Sequence, residues 1–164
     1  MQKLIRVTAI IALALLCLSL LLLLVSIPCQ RVLAAKVLRS PQEAISFLPV
    51  FPLAFFINCF LLTGCAILAV VFGGNQKGGI WLEIIVFILV TLALPLLNTV
   101  LANVQNVMIA NVRGSSYIVA NTIANQIANM CMGPGNLGSS LMLVVCGMSI
   151  VYKRMSKKLA KVTE

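Results

Sequence analysis

The chain has 164 residues, 62% of them hydrophobic and only 9% charged. A soluble domain carries about 25% charged residues, so a chain this poor in charge does not stay dispersed in water. Twelve Lys and Arg stand against three acids, for a net charge of +9 with no His, and the basic residues flank apolar runs, which points to lipid headgroups rather than nucleic acid.

The first predicted span runs from about Leu4 to Ile27 and is closed by Pro28, with Lys3 and Arg6 near its start. A cleaved signal peptide is the rival reading. Its apolar region would be only about 7–15 residues long, and a small-x-small cleavage site would follow. Val25-Ser26-Ile27-Pro28-Cys29 has no such site, so a retained helix is expected.

Residues 29–46 form a polar connector with Arg31, Lys36, Arg39 and Glu43. Within it, Ser40-Pro41-Gln42-Glu43 reads as a helix start: Ser caps, Pro suits the first helical position, and Glu completes a capping box. The second span covers about Phe47 to Phe72. Pro49 and Pro52 should bend or break its entry, leaving Leu53 to Phe72 as the roughly 20 residues a crossing needs.

Gly73-Gly74-Asn75-Gln76-Lys77-Gly78-Gly79 reads as a short loop between antiparallel helices. It lacks the spacing of a phosphate-binding loop, and no strand precedes it. The third span runs from about Ile80 to Leu101, with Trp81 as an interfacial aromatic. Pro95 inside it should deprive the Thr91 carbonyl of its normal partner.

An apolar stripe at three-four spacing continues past Leu101, so an amphipathic region is expected over 102–132, interrupted at Arg113-Gly114-Ser115-Ser116. From Tyr117 to Met132 the order is regular. Asn121, Asn125 and Asn129 recur every four residues, as do Ala120, Ala124 and Ala128. Each set forms a slowly drifting stripe on a helix. Gly133-Pro134-Gly135-Asn136 should break that helix. A last span at 137–152 follows, then a basic tail at 153–164.

The expected fold is therefore an all-α integral membrane protein. It has four transmembrane helices, with an amphipathic Asn/Ala-rich helix between the third and fourth. Lys3, Arg6, Lys77 and five tail residues make eight basic groups on the terminal side, against Arg31, Lys36, Arg39 and Arg113 on the other. The positive-inside rule then puts both termini in the cytoplasm of a plasma or inner membrane, although the three basic residues of the 29–46 connector weigh against this. None of the ten asparagines begins an N-x-S/T sequon.

Enzyme chemistry finds little to work with. Without His, Asp or a nearby pair of acids, general acid–base catalysis and a Ser-His-Asp triad have no players. None of the six cysteines forms a C-x-x-C pair, so no metal site or cofactor is expected. A disulfide between Cys29 and Cys131 is one arrangement an oxidising compartment would permit. Glu83 reads either as an interfacial acid favoured by a helix N-terminus or as an ion- or proton-coupling residue.

Asn58, Thr63, Thr91 and Asn98 are candidates either for interhelical hydrogen bonds or for a polar, outward-facing cavity. The stripe formed by Ala120, Asn121, Ala124, Asn125, Ala128 and Asn129 reads as a solvated face, as an interface to a second copy or another subunit, or as a pore lining. Lys153, Arg154, Lys157, Lys158 and Lys161 are candidates for anionic lipid headgroups. Two function classes remain: an accessory or scaffolding subunit of a membrane complex, and an oligomeric small-solute or ion channel or transporter.

Overall fold

The computed structural model describes residues 1–37, 53–72, 81–93, 95–97, 99–100, 103 and 115–162. Every described residue except Met1 is helical. The elements are α1 (Gln2–Val37), α2 (Leu53–Phe72), α3 (Trp81–Ile88), a π-helical segment (Leu89–Ala93) and α4 (Ser115–Val162). Three stretches are long and apolar enough to cross a membrane: Gln2–Val32, Phe55–Phe72 and Ile118–Ala160. Trp81–Leu97 is a shorter apolar helix. The expected helix start at Ser40–Glu43, the entry prolines Pro49 and Pro52, the glycine-rich loop 73–79 and most of 102–114 lie outside the described residues.

Two expected helix ends are absent. Pro28 does not close α1, which continues for nine residues to Val37. A proline removes one backbone donor, and in apolar surroundings neighbouring hydroxyls can serve the exposed carbonyls. Here Ser26 Oγ donates to the Leu23 carbonyl at 2.7 Å, one residue before Leu24, whose usual donor Pro28 lacks, and Gln30 Nε2 donates to Ser26 Oγ at 3.2 Å.

The Gly133–Asn136 break is absent as well. α4 runs unbroken for 48 residues with Pro134 inside it, so the Asn/Ala-rich segment and the expected last span are one helix. Ser19 Oγ of α1 donates to the Cys131 carbonyl at 2.8 Å. That carbonyl is one residue beyond Met130, whose usual donor Pro134 lacks.

α1 and α4 pair along an antiparallel seam. On α1 the buried residues are Ile5, Ala9, Ala12, Leu16, Ser19, Leu23, Ser26 and Gln30. They are spaced alternately four and three apart, the pattern of a coiled-coil seam. On α4, Ala120, Ala124, Ala128, Met142, Val145 and Ser149 are buried, with Gly135 and Gly138 between them. A β-carbon on Gly138 would meet Leu16 Cγ at 2.9 Å and the Ala12 carbonyl at 3.1 Å. One on Gly135 would meet Ser19 Oγ and Phe55 Cζ, each at 2.7 Å.

Small residues suit this seam. In lipid the bulky side chains gain little by leaving their surroundings, so helices associate through close packing and hydrogen bonds. The leucines Leu18, Leu21 and Leu24 accordingly point outward.

α2 covers the N-terminal half of α1 and runs antiparallel to it, with Phe55 level with Ser19 and Gly135. Its buried residues include Phe55, Cys59, Leu62, Ala66 and Ala69. α3 packs chiefly on α4. The π-helical segment ends two residues before Pro95, where a proline commonly forces a local change of helical pitch.

Candidate functional site

The α1–α4 register brings the start of α1 beside Val145–Ser149, so the start of α1 and the last turns of α4 lie at one end of the bundle. Trp81 and Glu83 at the start of α3 share that end. Glu83 is the one acid among the described residues, and it is only 4% exposed. Its Oε1 accepts from Ser149 Oγ at 2.7 Å and from Lys153 Nζ at 2.6 Å. The Lys153 side chain is 16% exposed, so the ion pair sits at the rim with its acid inward. Glu83 Oε2 is buried and has no hydrogen-bond partner among the described residues.

Each partner has a local reason for its position. A carboxylate in the first turn of α3 faces the positive end of the helix dipole. Ser149 and Lys153 are one helical turn apart on α4 and so lie on the same face. Breaking a buried charge pair leaves the remaining charge uncompensated, whereas the intact pair gains little over apolar packing. The pair ties the first turn of α3 to α4.

Sequence reasoning separates these residues. It puts Glu83 at the interface and Lys153 among the headgroup-facing cations, and the structure joins them. The signal in the sequence is the count of acids: a single acid near an apolar run needs a cation, but nothing in the sequence singles out Lys153 among the twelve basic residues.

Asn58 lies inside α2 at 1% exposure, and neither of its amide atoms has a hydrogen-bond partner among the described residues. Thr63 and Thr91, grouped with it as candidates, bond within their own helices. Thr63 Oγ1 donates to the Cys59 carbonyl at 2.7 Å, and Thr91 Oγ1 donates to the Phe87 carbonyl. Asn98 lies outside the described residues.

Ala120, Ala124 and Ala128 are buried within the chain. The register sets them opposite Ser26 and Gln30 of α1. The outer faces of this part of α4 carry half-buried Asn125 and exposed Thr122, Gln126, Asn129 and Met130; the Asn121 side chain lies outside the described set. Arg154, Lys157 and Lys158 are exposed on the last turns of α4, and Lys161 continues that helix. Among the described side chains of the tail group, Lys153 alone turns inward.

Cys29 and Cys131 carry free thiols. Among the described residues, no three His, Cys, Asp or Glu side chains gather as metal ligands would. No protein-family model matches the chain, and no curated protein or solved structure matches it either.

Proposed function

We propose that the protein is a polytopic integral membrane protein, of a plasma or inner membrane, that acts as an accessory or scaffolding subunit of a membrane complex, with both termini cytoplasmic. One observation carries this reading. α1 and α4 have 36 and 48 residues, or about 54 and 72 Å at about 1.5 Å per residue. A bilayer core is about 30 Å thick. Past Pro28, α1 carries Arg31 and Lys36, and α4 alongside it exposes Thr122, Gln126 and Asn129. The pair thus extends beyond the apolar slab as a two-helix arm.

The arm is held together by the alanine seam of α4 packed against buried Ser26 and Gln30 of α1. It offers amides and hydroxyls to a partner or to a second copy. Bound anionic lipid at Arg154, Lys157, Lys158 and Lys161 fits the same reading, each cation contributing about 1 kcal/mol near a charged surface.

The test is purification from native membranes in a mild detergent. A defined partner or oligomer should accompany the wild-type chain and be lost from Asn125→Leu/Asn129→Leu without a fall in expression. A monodisperse wild-type monomer with nothing bound would contradict the reading.

The second reading, an oligomeric small-solute or ion channel or transporter, is favoured by Asn58 alone, a buried amide whose partner could be a passing solute. Reconstituted liposomes that stay silent over a broad solute panel would remove it.

A further inference from the structure

The buried carboxylate at the rim of the bundle has capacity that its neighbours among the described residues leave unused. Both hydrogen bonds fall on Oε1 of Glu83, while Oε2 is buried and unpartnered among the described residues. A buried carboxylate oxygen with no donor is costly, so any cation or donor that reaches it is stabilised. The Ser149 hydroxyl is a donor here, but it can turn to offer its lone pairs. The hydroxyl oxygen and the carboxylate then border the place the ammonium holds, since both Ser149 and Lys153 meet Glu83 at Oε1. Lys153 holds its place by a long flexible stem at the edge of the slab, and such a side chain can swing its ammonium out to water or headgroups.

We propose that Glu83 and Ser149 form a seat for a small monovalent alkali cation, which exchanges one for one with the Lys153 ammonium. Charge decides the stoichiometry. Lys153 and a cation on the same carboxylate would repel each other strongly in a medium of low dielectric. One must leave as the other enters, and the site stays neutral. Charge also selects the ion. A divalent ion would leave a net positive charge buried beside apolar side chains, and calcium calls for about six to eight oxygens.

Hard oxygens favour alkali ions over soft metals. Among the described residues the Cys146 thiol on α4 lies near the carboxylate, with the Cys65 thiol of α2 on the far side of Cys146, and the exposed Lys3 and Arg6 of α1 are at the same end of the bundle. The seat is remote from the α1–α4 arm, so its success or failure leaves partner capture by that arm unaffected.

The experiment uses the full chain in neutral detergent, in chloride salts of lithium, sodium, potassium and N-methylglucamine at equal ionic strength and fixed pH. Lys153→Gln empties the seat of its resident cation. Its melting midpoint should rise in lithium or sodium relative to N-methylglucamine, and the added Glu83→Gln change should abolish the rise. A midpoint indifferent to the cation, or a rise equal in all four salts, overturns the proposal.

Wild-type protein gives an answer that needs no variant. Acylation of Lys153, read by mass spectrometry against Lys157 in the same molecule, should run severalfold faster in sodium than in N-methylglucamine. An unchanged ratio overturns the exchange.

Discussion

Gly135 of α4 stands directly against Ser19 of α1: a β-carbon on the glycine would lie 2.7 Å from the serine Oγ. The same point would be 2.7 Å from Phe55 Cζ and 3.0 Å from Cys59 Sγ on α2. Three helices meet closely here, and the meeting point lies within an expected helix break.

That contact makes glycine substitutions directional. Gly135→Val and Gly138→Val should each destabilise by about 1–3 kcal/mol, because they overpack a closed seam. At Gly138 one obstacle is the Ala12 backbone carbonyl, which cannot rotate aside. A β-carbon added to Gly133, Gly147 or Gly64 would meet nothing within 4 Å. Gly147→Ala should therefore stabilise by about 0.5–1 kcal/mol through helix propensity alone. Thermal melting in one detergent decides it; equal effects at positions 138 and 147 would mean that the seam is not closed there.

Loss of the ion pair should act locally. α3 has two buried residues, Glu83 and Val86, so its position depends heavily on Lys153 and Ser149. Glu83→Ala should cost about 1–3 kcal/mol in docking α3, the range for leaving a buried polar partner unsatisfied. Hydrogen exchange should rise over 81–93 and stay unchanged over 5–30 and 135–149. The swap Glu83→Lys/Lys153→Glu should recover part of the protection. Exchange that rises uniformly along the chain would argue against local docking.

Asn58 offers a substitution that should improve stability. Its amide is buried without a partner among the described residues, and removing such an orphan returns about 1–3 kcal/mol. Asn58→Leu, close in volume, should melt higher than wild type. If transport through an Asn58-lined path were the function, the same variant would be more stable and transport-silent. A lower melting point would show that the amide does have a partner.

The apolar spans are legible from composition, and α2 illustrates why. A run from Leu53 to Phe72 without a charge has only one comfortable structure in lipid, a helix with its own hydrogen bonds satisfied. The buried face of α1 is not legible. Leucines line both its inside and its outside, so periodicity is invisible there, and the seam is marked only by Ala9, Ala12, Ser19, Ser26 and Gln30.

The Gly133–Pro134–Gly135 signal is legible but misleading. It follows rules for helices in water, where broken backbone bonds are replaced by solvent. In this chain Ser19 serves the Cys131 carbonyl, next to the one the proline leaves without its donor, and Gly135 and Gly138 let α1 approach. The alanine stripe reads as a close-packing surface, yet spacing alone does not say that its partner is α1 of the same chain. The Glu83–Lys153 pair joins residues 70 positions apart, beyond what local patterning reports.

The central claim is that the α1–α4 arm exists to meet another protein. The most direct measurement places a photo-crosslinking residue at Asn129 on the arm, and separately at Val144 on an exposed apolar face, and irradiates intact membranes. The account predicts a discrete protein adduct, either a partner or a second copy, from position 129 and none from position 144. No adduct from position 129, or the same adduct pattern from both, would contradict it.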